Sequence, residues 1–394
     1  MIIKGVSAKS IKDSRGEKTI SVSIKTNVGD FSASAPNGKS TGKNAVKIYK
    51  KNLEGDIATL KKFSDYFSEE IIEKFEDLRR VEDIMEGHMG ANTFFALESA
   101  ILKAVAVEQK KQVWEIIMNS LHDSLSKARE PKFPQLVGNC IGGGKHSSSS
   151  SKPDFQEFLL IPNLKSVKEN FEKNKSVKGK VKNFLKEVDE KFDGKTTDEN
   201  AWMTSLNEKQ VFDVLKKTGL VFGTDIAASS FYKRKKYYYK NPLLTRTAEE
   251  QAGYLANLVK NFDLFYIEDP FGEEDFESFA KLLKKFPDRL VVGDDLIVTS
   301  SKRLEKAIEI KSVNAVIVKP NQCGSLLEVK RVCELAKENN IKIVFSHRSG
   351  ETEENILADL AFGFGADFFK CGIDGKEREV KLKRLMEIEK ELAR

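Results

Sequence analysis

An α/β fold, a C-terminal (βα) TIM-type barrel behind an N-terminal α+β capping domain, is predicted by three features of this sequence. The first is a series of short β-rich runs that each end on an ionisable side chain: Leu220 to Asp225, Leu264 to Glu268, Leu290 to Asp294, Ala315 to Lys319, Ile341 to His347 and Asp367 to Lys370. The second is their spacing. From Glu268 onward successive run ends lie about 25 residues apart, room for one strand, one helix and two loops of a barrel. The third is a change of texture near residue 125: before it, strands come first and helices follow, the order of an α+β unit.

Taken in chain order, the alternation over Thr19 to Thr26 predicts a strand, helical periodicity is expected from about Glu69, and a helical run covers Ala91 to Met118. Lys127 to Gln135, with Pro131 and Pro134, reads as a linker. The expected domains are therefore 1–125, the cap, and 126–394, the barrel. The segment 165–195 is Lys-rich, but Glu169, Glu172, Glu187 and Glu190 interrupt the charge, so it reads as an exposed helical layer and not as a polyanion site.

The chain has 394 residues, is 40% hydrophobic and 32% charged, and carries 66 Lys plus Arg against 60 Asp plus Glu, for a formal charge of +6. That composition can bury a large core, and the small basic excess reads as solvated surface with no nucleic-acid partner. Tyr237 to Tyr239, after Lys233 to Lys236, read as a loop leaving the third barrel strand and not as a base-stacking platform. Cys140, Cys323, Cys333 and Cys371 form no CxxC pair, which implies free thiols in a reducing cytoplasm, with Cys371 near enough to the site to meet thiol reagents. No apolar run approaches the roughly 20 residues of a membrane span.

Barrels of this type do their chemistry at the C-terminal ends of their strands. Asp225, Glu268 and Asp294 would meet at one mouth, where three carboxylates repel one another unless a cation sits among them, and Mg2+ prefers such hard oxygen donors. The following ends bring Lys319, His347 with Arg348, and Lys370, so the opposite side is positive. Two lysines beside a divalent cation are expected to have depressed pKa values, which makes one of them available as a base. A base plus concentrated positive charge is what proton abstraction next to a carboxylate requires.

The motifs that carry a family resemblance occur in order along nearly the whole chain. They are Asp13-Ser14-Arg15-Gly16, Pro36-Asn37-Gly38-Lys39-Ser40-Thr41-Gly42, Gly90-Ala91-Asn92, Gly142-Gly143-Gly144-Lys145-His146, Gln156-Glu157-Phe158, Ile267-Glu268-Asp269-Pro270, Gly293-Asp294-Asp295-Leu296, Lys319-Pro320-Asn321-Gln322 and Ser346 to Glu353. In these the chain resembles the enolase family. The resemblance implies a barrel of enolase type and a reversible, Mg2+-dependent dehydration of 2-phosphoglycerate to phosphoenolpyruvate in glycolysis and gluconeogenesis. It implies Asp225, Glu268 and Asp294 as ligands of a first Mg2+, and Ser40 on a mobile loop as completing a second site. It makes Lys319 the base at C2, Glu199 the acid at the C3 hydroxyl with Glu157 in support, Lys370 the partner of the substrate carboxylate, and Arg348 with Ser349 the phosphate partners. His146 and His347 match the two active-site histidines, and a cytoplasmic homodimer or larger homo-oligomer is implied.

The chain departs from the family pattern at Glu17-Lys18, at Ser147 to Ser151 in a loop about two residues longer than usual, at Asn200-Ala201 in place of Gly-Gly, at Ser230 in place of Glu, and in the run from Gly372 to Lys383. Ala201 lacks glycine's freedom to take φ > 0, so Glu199 is expected to be aimed differently. Two alternatives stay open on these grounds: a catalytically impaired paralogue that acts as a binding or scaffold protein, and an enzyme of the same superfamily acting on another carboxylate.

Overall fold

Alternation builds the cap. In β2 (Lys18–Thr26) the side chains of Ile20, Val22 and Ile24 are fully buried, and β1 (Ile3–Lys12) and β3 (Gly29–Ser34) pair with it antiparallel on either side. Helices α1 (Leu53–Phe67), α2 (Leu78–Met85), α3 (Ala91–Glu108) and α4 (Val113–His122) complete this part. The computed structural model describes residues 1–39, 42–122 and 132–393. Ser40, the expected boundary near 125 and most of the expected linker lie outside the described residues.

Two helix expectations need correction. The first helix starts at Leu53 and not near Glu69, because the Asn52 side chain accepts a bond from the Gly55 N–H and caps it; Glu69 sits beyond its end with φ 70°. The run from Ala91 to Met118 is two helices. Five consecutive polar residues, Glu108 to Gln112, offer nothing to bury, and Lys110 turns the chain with φ 54°.

Eight strands close the barrel: β4 (Gln135–Gly142), β5 (Glu157–Leu160), β7 (Phe222–Asp225), β11 (Tyr266–Glu268), β12 (Leu290–Gly293), β13 (Ala315–Val318), β14 (Lys342–Ser346) and β15 (Phe368–Lys370), which pairs back onto β4. The short strand β6 (Trp202–Met203) adds to β4 outside the ring. The ring is not wholly parallel, since β5 runs antiparallel to both β4 and β7. Alternate residues divide two cores. Val137, Leu159, Tyr266, Val292, Ile317, Val344 and Phe368 fill the barrel interior, whereas Leu136, Phe158, Ile267, Val291, Val316, Ile343 and Phe369 join the layer beneath the helices.

That outer layer comprises α5 (Val167–Val188), α6 (Glu208–Lys216), α7 (Ala248–Phe262), α8 (Phe276–Lys285), α9 (Ser301–Ile310), the single turn α10 (Pro320–Cys323), α11 (Leu326–Glu338), α12 (Ile356–Gly363) and α13 (Lys376–Leu392). The Lys-rich segment is α5, capped by Ser166 and Glu169, with Val167, Asn170, Asn174, Val177, Val181 and Leu185 as its buried stripe. A three-stranded excursion, β8 (Tyr232–Lys233), β9 (Lys236–Lys240) and β10 (Leu243–Arg246), leaves the third barrel strand and buries Tyr237 and Tyr239. Among the described residues no helix is long and apolar enough to cross a membrane.

Candidate active site

Register places the acids. Glu157, Asp225 and Glu268 are direct partners across β5, β7 and β11, so the three carboxylates stand in one row on strands about 4.8 Å apart. Asp294 follows β12 by one residue, and its N–H is held by Asp269 Oδ1 at 2.9 Å. Oxygens of Asp225, Glu268 and Asp294 lie within 4.8 Å of one another, all three residues are buried, and Asp294 Oδ1 has no hydrogen-bond partner among the described residues. This hard, anionic donor set fits Mg2+.

The cations arrive from the other side. Lys319 follows β13 by one residue in an extended conformation, φ −117° and ψ 94°, which a residue before proline favours, and its N–H is fixed by Thr299 Oγ1 at 2.9 Å. Its ammonium donates to Asp294 Oδ2. Lys370, on β15, reaches across the mouth to Glu157 at 3.0 Å, Asp225 at 3.1 Å and Glu268 at 2.8 Å. Arg348 is buried, donates to Asn321 Oδ1 at 3.1 Å and packs over Gly38, where a Cβ would fall 1.7 Å from the guanidinium. Ser349 Oγ accepts from Arg15 Nη1 and from the Lys39 N–H, both at 2.9 Å.

Glu199 stands on the turn 197–201, where Thr197 Oγ1 accepts from the N–H groups of Glu199 and Ala201. Its carboxylate accepts from Asn139 Nδ2 at 3.1 Å and faces His146 Nδ1 at 3.5 Å and His347 Nε2 at 3.7 Å. The left-handed residue of this turn is Asn200, φ 61°, while Ala201 needs no positive φ. The expected misaiming of Glu199 through Ala201 therefore does not arise, since asparagine tolerates that conformation.

Burial lowers the pKa of Lys319, but attraction to Asp294 and Glu268 outweighs burial and the repulsion from Arg348 and Lys370, so its value lies above that of an ordinary lysine. Lys370 is raised further, since Asp225, Glu157 and Glu268 outweigh its burial. The facing carboxylates, and not the neighbouring lysine, set both shifts. The carboxyl groups separate in the same way. Burial pushes Glu157 well up, with Glu199 and Asp225 adding to the rise against Lys370, and it pushes Glu268, beside Asp225, up to about 8. Glu199 is buried as well, but His146, His347 and Arg378 outweigh that and hold it down.

The structure thus gathers His146, Glu157, Glu199, Asp225, Asp294, Lys319, His347, Arg348, Ser349 and Lys370 around one cleft, with Glu268 paired to Lys370 at 2.8 Å. Sequence reasoning gave no role to Arg15, Asp269, Asn139 or the buried Arg378, which donates to Ser349 O at 3.1 Å. Arg15 and Asp269 stand inside motifs noted above, but Asn139 and Arg378 carry no local signal. Cys371 is fully buried, its thiol is pushed up to about 12 by burial, and it donates to Arg378 O, so reaction with thiol reagents is not expected.

Residues 131–394 match the family described as Enolase, C-terminal TIM barrel domain, and residues 3–117 match Enolase, N-terminal domain. The Enolase of Methanosphaera stadtmanae is 36% identical over 406 residues, covering 99% of this chain and 97% of its own length. The Enolase of Pyrobaculum aerophilum is 34% identical, covering 94% and 91%, and that of Archaeoglobus fulgidus is 34% identical, covering 99% and 97%. With both domains matched, and with a barrel mouth that sets buried acids against lysines and an arginine, the chain belongs to the enolase family of lyases.

Proposed function

We propose that this protein reversibly dehydrates 2-phosphoglycerate to phosphoenolpyruvate, with residues 1–125 as the capping unit and 126–394 as the catalytic unit. The observation that carries the reading is the opposition of Glu157, Asp225, Glu268 and Asp294 to Lys319, Lys370 and Arg348 across one mouth. Asp225, Glu268 and Asp294 would hold a Mg2+ ion, and Ser40 would complete a second site. Bound there, Mg2+ supplies positive charge beside the substrate carboxylate and the enolate that forms from it.

Lys370 meets the substrate carboxylate, while Arg348 and Ser349 take the phosphate; a guanidinium suits that planar, multi-oxygen contact. Lys319, in its neutral form, takes the proton from C2. Its raised pKa opposes this, and the opposition weakens once its carboxylate partners are shared with a divalent cation. Glu199, with His146 and His347 beside it, faces the C3 hydroxyl and acts as the acid that gives it a proton as it leaves, with Glu157 in support. One proton and one hydroxide depart as water, and the electron pair of the C2–H bond becomes the C2=C3 double bond.

We place the protein in the cytoplasm, in glycolysis and gluconeogenesis, and as a homo-oligomer. The test is ultraviolet absorbance of the enol product, with 2-phosphoglycerate and Mg2+ offered to the native chain, to the chelated chain and to Lys319→Ala. The reading requires absorbance to rise only in the first sample. If the native chain is silent over a range of temperatures, the reading fails.

A further inference from the structure

Behind Glu199 lies a polar cluster that the reaction described above does not use. Lys178, on α5, is only 4% exposed, and all three of its ammonium bonds are made: to the backbone carbonyl of Asn200 and, at 2.8 Å each, to Asp374 Oδ1 and Oδ2. Asn200 Nδ2 donates in turn to the Asp374 carbonyl at 3.3 Å. Trp202 Nε1 donates to the Lys178 carbonyl at 3.0 Å, and the Lys178 ammonium stands 5.3 Å from the Trp202 ring centre. Gly375, φ +103°, lets the 371–375 loop come this close, because a Cβ there would sit 2.3 Å from Asn200 Nδ2.

The cluster ties three pieces together: helix α5, the turn that carries Glu199, and the loop that follows Lys370. A lysine is removed from water only where its charge and its donors are matched, and here they are matched by the residue next to Glu199 and by the segment that leaves β15. We propose that Lys178, Asn200 and Asp374 are positioning residues, a strut that fixes the Glu199 turn and so aims the acid side of the cleft at the C3 hydroxyl. In this chain the strut takes the place of glycine's conformational freedom after the acid. The inference rests on the enolase reading of the site. It concerns only the second half of the reaction, because Lys319, which acts at C2, is anchored separately through Thr299 and Asp294.

The experiment separates those halves. Exchange of the C2 proton of 2-phosphoglycerate with deuterated water reads the Lys319 step, and phosphoenolpyruvate formation reads the whole reaction; both are followed with Mg2+ for the native chain, Lys178→Met, Asn200→Gly and the exposed control Lys180→Met. For Lys178→Met, a small misplacement of Glu199 should lower kcat for dehydration by about 10- to 100-fold, with KM and C2 exchange within about twofold of native. Asn200→Gly keeps the backbone conformation and loses one bond, so its kcat should fall less, in the same pattern; Lys180→Met should match the native chain. Thermal melts identify a Lys178 variant that fails to fold, and Asn200→Gly then decides. The proposal is overturned if dehydration stays at the native rate in the folded variants, or if exchange and dehydration fall together. A native chain that does neither overturns the enolase reading, and the inference with it.

Discussion

The two halves of the barrel mouth are built differently. On the acid half, Glu157, Asp225 and Glu268 occupy one register row of paired strands, so their short side chains are placed by the sheet itself. On the basic half, Lys319, His347 and Arg348 come one or two residues after their strands end, and Lys370 crosses the mouth on a four-carbon stem. A cation site needs carboxylates held at fixed separation, which strands supply. Recognition of an anionic substrate needs long charged groups that reach inward, which the turns after strands supply. Asp294, one residue past β12, and Lys370, on β15, are the exceptions; the comparison teaches that strand register places most of the acids and the turns after strands place most of the basic groups, so the halves should fail in different ways when altered.

Breaking the link between the halves should give the largest effect. Lys370→Met leaves three buried acids without their shared cation; removing one partner of a buried ionic cluster costs about 3–5 kcal/mol. Turnover is expected to be lost, and the melting temperature should fall in metal-free buffer and recover partly as Mg2+ is added. A melt unaffected by either change would show that Lys370 does not serve the acid half.

Within the acid half, Glu268→Gln removes one charge from the donor set, and Mg2+ affinity should fall by at least about tenfold. Activity at low Mg2+ should drop and return at high Mg2+. Calorimetric titration of the metal checks this, and native affinity in the variant would remove Glu268 from the site. In the basic half, Arg348→Lys keeps the charge but loses the planar fork, so KM for the phosphorylated substrate should rise about tenfold with Mg2+ affinity unchanged. Equal shifts in both constants would contradict a division of the mouth into two halves.

The smallest effect is expected at the rim. Lys39, 40% exposed along its side chain, pairs with Asp198 at 3.1 Å, beside the Glu199 turn. Such a pair contributes little and is screened by salt. Lys39→Ala should change kcat by no more than a few-fold, less so as salt is raised, and a large or salt-independent loss would assign Lys39 a deeper role.

The same contrast explains what could be read from the sequence. Six residues were legible because parallel strands deliver their last residue, or the one that follows it, to the mouth at a regular spacing. Glu157 was not legible that way, because β5 runs antiparallel and its first residue, not its last, reaches the mouth. Glu199 is on no barrel strand, so spacing could not find it and only the family motif did. The acids that face each lysine were not legible either: Asp294 and Glu268 raise Lys319, and Asp225, Glu157 and Glu268 raise Lys370, through contacts between strands far apart in the chain. Lys178 was read as one of many surface charges on α5; its burial depends on Asn200 and Asp374, which arrive from distant parts of the chain.

The central claim is that the basic half holds the base that acts at C2 while the acid half holds the metal. The most direct measurement is deuterium incorporation at C2 of 2-phosphoglycerate, with Mg2+ binding measured on the same samples, for the native chain and Lys319→Ala. The account predicts incorporation by the native chain, none above background by the variant, and Mg2+ bound by both. Incorporation by Lys319→Ala at the native rate would contradict it.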